Sequence, residues 1–205
     1  MAANIRDKSC RNLLVFLMFA FQFDGLNRQA ELRKESEKIK VLAEKPCSQF
    51  LPIYKQYLCA TDDTLLWLDN SLLNIYSSNI LDHHLIYLGQ INNTEYFAYR
   101  VDSSETLRTI ANQHQANTHG LRELNAVLDA KNAYLANVAT GISQWHSSHQ
   151  HCGHCGSKTY SKEYGFARQC SNSDCEKEQF PRTDPAIIVA ISHTDTKGIE
   201  RILLG

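Results

Sequence analysis

The segment Cys152-Gly153-His154-Cys155, followed by Cys170 and Cys175, constrains what this chain can fold into more than any other stretch. The spacings are C-x2-C and C-x4-C. Four thiolates suit a tetrahedral Zn2+ ion and leave no position open for a water, so the ion they predict is structural rather than catalytic. Gly153 and Gly156 flank the first knuckle, where the chain must wrap tightly round the ion. The stretch from Cys152 to Cys175 is too short to bury a core of its own. Metal ligation has to supply its folding energy, about 10–16 kcal/mol in apparent terms for such sites.

The alternative is a set of disulfides or isolated thiols. The chain carries seven cysteines, and Cys10, Cys47 and Cys59 are scattered without partners. An odd total and no convincing secretion signal argue against a disulfide framework, and free thiols with a zinc–thiolate site fit a reducing intracellular compartment. His149, His151 and His154 crowd the first knuckle, but with four cysteines present they read as bystanders on the ribbon surface.

Acids and bases nearly cancel, 22 against 21 in 205 residues, so no overall field draws the chain to nucleic acid or to an anionic membrane. The ribbon is equally mixed: Lys158, Lys162, Arg168, Lys177 and Arg182 are set against Glu163, Asp174, Glu176 and Glu178. That is not the electrostatic footprint of a tight phosphate-backbone binder. At the N-terminus, Asn12 to Phe23 is an apolar run preceded by Arg6, Lys8 and Arg11. The layout is that of a signal peptide, but no small-residue cleavage site follows and the run is too short to span a bilayer. It reads as a buried strand or helix, with a signal or presequence as the alternative, and no membrane partner is expected.

Between these landmarks, Asn27 to Leu42 reads as a solvated helix ending before Pro46, its charges a wet face. Gln49 to Cys59 is a strand region, and Leu65–Leu68 and His84–Leu88 are short buried strands. Gly89 to Thr94 is rich in turn residues, and Tyr96 to Val101 is the return strand of a hairpin. His83 and His84 fall at a strand edge with no metal role. Leu121, Leu124, Val127 and Leu128 share a helical face, and Leu135, Val138, Ala139, Ile142 and Trp145 continue at helical spacing. Trp145 reads as a core anchor and His146 to Gln150 as a short polar linker. Beyond the ribbon, Pro181 and Pro185 disfavour a helix. Ala186 to Ser192 and Ile199 to Leu204 then read as the two strands of a hairpin around a turn at Asp195–Gly198. Such a hairpin needs cover, so the reading is that the chain stops just inside a further domain.

Taken together, Trp145-His146, the Cys-Gly-His-Cys-Gly knuckle, Cys170-x4-Cys175, Phe180-Pro181-Arg182, Asp184-Pro185 and the Ile-Ile-Val-Ala-Ile strand resemble the NADH pyrophosphatase branch of the Nudix hydrolases. Leu26-Asn27-Arg28, Phe50-Leu51-Pro52 and Tyr96-Phe97-Ala98 extend the likeness upstream, so that it runs from about Phe19 to Gly205. The resemblance implies an α+β protein in three parts. These are a mixed α/β N-terminal domain over 1–148 (1–18 left unassigned), a four-cysteine zinc ribbon over 149–180, and the first β-hairpin of an incomplete α/β/α Nudix domain over 181–205.

The resemblance further implies hydrolysis of the pyrophosphate of NAD(H) to nicotinamide mononucleotide and AMP, and in some relatives removal of NAD caps from RNA. The chemistry it implies is attack by a water activated by Mg2+ or Mn2+ on carboxylates of a Glu-rich helix. Homodimers are implied, and a cytoplasmic, mitochondrial or peroxisomal setting is not resolved. The Nudix box, G-x5-E-x7-R-E-x2-E-E-x-G, does not occur in these residues. No catalytic residue therefore carries over, and the 205-residue chain is expected to be inactive alone. Cys152, Cys155, Cys170 and Cys175 carry over as zinc ligands. Phe180 carries over as an aromatic face for a substrate base, against the alternative of a core contact. Arg182 reads as a surface or ion-pair residue rather than a phosphate ligand. The alternative function is a non-catalytic dimerisation or regulatory fragment of the same enzyme; a zinc-ribbon nucleic-acid binder is disfavoured by charge.

Overall fold

The computed structural model describes residues 23–76, 84–182, 192–194 and 197–202. The apolar run expected at 12–23 lies outside these except for Phe23, as do His83, Asp184-Pro185 and most of the strand expected at 186–192. No helix among the described residues is long and apolar enough to cross a membrane.

The charged segment after Asn27 is not one helix. A 3-10 turn, Ala30–Lys34, gives way at Glu35 (φ −104°, ψ 75°) to helix α1, Ser36–Ala43. Nor is it uniformly wet: Arg33 is buried, its guanidinium 3.4 Å above the Phe166 ring. The expected strand region at Gln49–Cys59 is a hairpin. Strands β1, Gln49–Tyr54, and β2, Tyr57–Ala60, turn at Lys55, whose φ is +55°. In the segment expected as a buried strand, Leu65 and Leu68 are buried and Leu66 and Trp67 half-buried, and it forms only isolated bridges, Ala60–Leu65 and Phe50–Leu68, rather than a strand. The cause is local: the Asp69 carboxylate accepts from the Leu72 amide at 2.9 Å, and helix α2, Asn70–Tyr76, starts there.

Strands β3, Leu85–Ile91, and β4, Thr94–Arg100, form the expected hairpin, with the turn confined to Asn92 and Asn93, both at positive φ. Helix α3, Ser104–Gln113, is capped by the Ser103 hydroxyl, which accepts from the Thr106 amide. Strand β5, Asn117–Gly120, leads into the single turn α4, Leu121–Leu124. Of the face expected there, Leu124 is buried and Leu121 and Leu128 pack against the core, while Val127 is exposed. Helix α5, Ala130–Ser148, opens on Asp129, whose carboxylate accepts from the Asn132 amide at 2.7 Å.

These elements form a mixed five-stranded sheet of order β3-β4-β1-β2-β5, with β1 and β4 parallel and the other pairs antiparallel. Side chains alternate across it with the period of two that a strand imposes. Phe50, Cys59, Tyr87, Phe97 and Tyr99 meet α1, α2 and α3 on one face. Leu51, Ile53, Leu58, Ile86 and Ala98 meet α5 and Leu124 on the other. Both faces are covered, which explains why the strands read as near-continuous apolar runs.

The ribbon follows α5. Strands β6, Thr159–Lys162, β7, Ala167–Cys170, and β8, Glu178–Gln179, form a separate antiparallel sheet in that order. Between β6 and β7, Glu163, Tyr164 and Gly165 take three successive positive φ values. This kink pushes Tyr164 into the first core, where its hydroxyl donates to the Ser36 carbonyl at 3.0 Å. At Gly165 a Cβ would meet Ile86 Cγ1 at 2.8 Å, so the ribbon backbone lies directly on β3. Beyond the ribbon, β9, Ser192–Thr194, and β10, Glu200–Ile202, pair antiparallel as the expected hairpin does.

Candidate metal centre and adjoining pocket

Two knuckles bring the four cysteines together. In the first, the Cys152 amide donates to the Ser157 carbonyl at 2.7 Å and the Gly156 amide to the Cys152 carbonyl at 2.9 Å, with Gly156 at φ +76°. In the second, Cys175 and Glu176 both donate to the Asn172 carbonyl, and the Asn172 amide points at Cys170 Sγ, 3.4 Å away. The ligand atoms of Cys152, Cys155, Cys170 and Cys175 all lie within 4.8 Å of one another. Cys152 and Cys175 are 3.8 Å apart and Cys155 and Cys170 3.4 Å.

Both separations are too long for a disulfide. They match the edge of a tetrahedron around one zinc, about 3.8 Å for Zn–S bonds of roughly 2.3 Å. Among the described residues this is the one group of three or more potential ligands close enough to share an ion. His149, His151 and His154 are not in it. The four thiols differ: hydrogen bonds from the Ser157 hydroxyl and amide pull Cys155 down to about 6, and those from the amides of Cys155 and His154 lower Cys152. At Cys170 and Cys175 the hydrogen bonds from the Asn172 and Lys177 amides are outweighed by burial and the neighbouring sulfurs, which raise both. Four sulfurs around one ion leave nothing for a substrate to displace, so what the centre can do is hold the ribbon folded.

The ribbon is then fixed to the body through His146. The expected polar linker at His146–Gln150 is in fact the last turn of α5, and His146 is 1% exposed. Its Nε2 lies 2.8 Å from the Gly165 carbonyl and its Nδ1 2.6 Å from an Arg168 guanidinium nitrogen. A carbonyl can only accept and a guanidinium can only donate, so the ring is neutral with its proton on Nε2. Burial, then Arg100 and Arg168, push the imidazole down to about 3. Arg168 is buried too and donates twice more to Thr159, to its hydroxyl and its carbonyl, both at 2.7 Å. Sequence reasoning passed over this pair, although His146 lies four residues after Ile142 and so continues the buried stripe.

Trp145 anchors the junction as expected, 9% exposed. With Phe166 and Phe180 it lines a cavity of about 510 Å3, to which Arg28 and Arg182 contribute charge. Phe180 is 55% exposed among the described residues.

Residues 147–180 match the family model described as the NADH pyrophosphatase zinc ribbon domain. Over 57 residues the chain is 44% identical to Nudix hydrolase 19, chloroplastic, of Arabidopsis thaliana, a match covering 28% of this chain and 13% of that protein. It is 40% identical over 57 residues to the NAD-capped RNA hydrolase NudC of Mannheimia succiniciproducens, covering 28% of this chain and 21% of the relative. The human NAD-capped RNA hydrolase NUDT12 is 27% identical over 199 residues, which is 88% of this chain and 40% of that protein. The chain thus spans less than half the length of these relatives.

Proposed function

The chain belongs to the NADH pyrophosphatase branch of the Nudix hydrolases, and from that premise we propose that it is the substrate-orienting part of an enzyme that splits the pyrophosphate of NAD(H) into nicotinamide mononucleotide and AMP, with NAD-capped RNA as a second substrate class. The observation that carries the reading is the cavity beside the ribbon. Phe180 offers a flat apolar face on which a base can stack, and Arg28 offers charge for phosphate in the same cavity.

In this reading the parts are residues 1–148 as the N-terminal domain, 149–180 as the ribbon and 181–205 as the beginning of the hydrolase domain. Cys152, Cys155, Cys170 and Cys175 hold a structural Zn2+ that sets the position of Phe180 five residues after the last ligand. Hydrolysis itself belongs to Mg2+ or Mn2+ on carboxylates of a Nudix box, a sequence absent from these 205 residues, so the chain alone binds without cleaving. It works as a homodimer in a reducing compartment inside the cell.

The test is binding. The zinc-loaded chain is titrated with NADH and with a short NAD-capped RNA, and the titration is repeated with Phe180→Ala. Stacking contributes about 1–3 kcal/mol per base, so the variant should bind at least about fivefold more weakly. Equal affinity for wild type and variant, or no saturable binding by either, contradicts the reading.

A further inference from the structure

A second, smaller cavity shares no lining residue with the first and plays no part in the reading above. It holds about 230 Å3 and is lined by Arg100, Arg168, Lys158, His151, Gln150 and Thr159, with His146 at its floor. The three basic side chains come from different parts of the chain. Arg100 ends β4 and Arg168 sits in β7. Lys158, at the start of the ribbon sheet, is held opposite His151 by an isolated bridge.

Three side chains that are cationic at neutral pH therefore converge on one concavity, and none of the described residues lining it is acidic. The chain's net charge is only −1, so this local concentration is not a reflection of general basicity. Arg168 is immobilised by its three bonds to Thr159 and His146, which makes it a fixed charge rather than a mobile tether. The same crowding shows in the titration of its neighbours: burial, then Arg168, pull Arg100 down to about 10.

We propose that this cavity is a binding site for a phosphoryl anion, with Arg100 and Lys158 donating to its oxygens and Arg168 supplying a fixed positive field. A guanidinium and an ammonium on one small polar concavity, with the Thr159 and Gln150 side chains beside them, suit a compact multivalent oxyanion better than a planar carboxylate. The phosphoryl group comes from one of two sources, a free di- or polyphosphate or the backbone of an RNA.

The zinc-loaded 205-residue chain is titrated calorimetrically with inorganic pyrophosphate and, separately, with a short 5′-phosphorylated RNA lacking any NAD cap. Lys158→Glu is the main variant because Lys158 is exposed and its loss leaves the core intact. Arg100→Gln is the second. The expected result is saturable binding that weakens about tenfold or more in Lys158→Glu, as loss of a charge-assisted contact implies, and that falls with added salt. RNA binding tighter than pyrophosphate, and lost in the same variant, identifies the backbone as the source; equal or weaker RNA binding identifies the small anion. Absence of binding by both probes, or an unchanged affinity in Lys158→Glu, overturns the proposal. NADH binding at the Phe180 cavity should be unchanged in Lys158→Glu, so the two readings fail separately.

Discussion

Arg168 donates a guanidinium hydrogen to Nδ1 of His146 across 2.6 Å, joining the second strand of the ribbon to the last turn of the long helix. That bond and the one from His146 Nε2 to Gly165 make a single imidazole a polar link between helix and ribbon, beside the hydrogen bond from Tyr164 to the Ser36 carbonyl. Replacing His146 by Ala leaves a buried guanidinium and a buried carbonyl each short of a partner. The expected loss is about 3 kcal/mol of stability, at the upper end for unsatisfied buried groups because one of them is charged. Urea unfolding in the presence of zinc measures it; a loss below about 1 kcal/mol contradicts the assignment.

The same residue sets a pH dependence. Its folded value of about 3 lies below the 6.5 of a free histidine. Above 6.5 both states are neutral and His146 contributes no slope. As the pH falls from 6.5 towards 3, the unfolded chain gains a proton that the folded chain refuses, so stability drops by up to about 1.4 kcal/mol per pH unit. Other groups titrate in this window, so the informative quantity is the difference between wild type and His146→Asn. The variant should show the shallower slope between pH 6 and pH 4, within the window set by 3 and 6.5. Parallel slopes contradict the prediction.

At Gly165, with φ +92° and a Cβ position 2.8 Å from Ile86 Cγ1, alanine meets both backbone strain and a clash with a packed strand. Gly165→Ala should cost about 2 kcal/mol or more while leaving the zinc content intact, because the four ligands lie elsewhere. Thermal melting with metal analysis on the same sample tests both halves of that statement.

Arg33 is buried, it covers the Phe166 ring, and its Nε has no hydrogen-bond partner among the described residues. Burial pulls its pKa down to about 10. A methionine of similar length keeps the apolar cover without the desolvated charge. Arg33→Met should therefore lie within about 1 kcal/mol of wild type, or above it. A loss of more than about 2 kcal/mol would mean that the cation–π contact outweighs desolvation.

Much of this was legible in the sequence because it was periodic or fixed by spacing. The two cysteine pairs announced the ribbon, and the alternation through Tyr96–Val101 and the stripe from Leu135 to Trp145 announced β4 and α5. What was missed has physical causes. Helix α3 was overlooked although Ser103 caps it and Leu107, Ile110 and Ala111 bury one face, because polar residues dominate its ten positions. The 30–43 segment looked wholly solvated because an arginine that packs under an aromatic ring is indistinguishable in sequence from one in water. His146 and Arg168 are 22 residues apart, and only the kink at Glu163–Gly165 brings them together. The Phe180 cavity was anticipated as an aromatic position but not as a cavity, since Arg28 and Trp145 reach it from elsewhere in the chain.

The most direct test of the account is the metal content and coordination of the purified chain. Native mass spectrometry should give one zinc per 23.3 kDa chain, and X-ray absorption should give four sulfur neighbours at about 2.3 Å. Cys170→Ser should weaken zinc binding by about a hundredfold or more, beyond what loss of an outer-shell partner causes. A chain that folds with Tyr164 buried and Phe166 half-buried but carries no metal, or whose zinc has a nitrogen or oxygen ligand in place of a sulfur, would contradict the central claim.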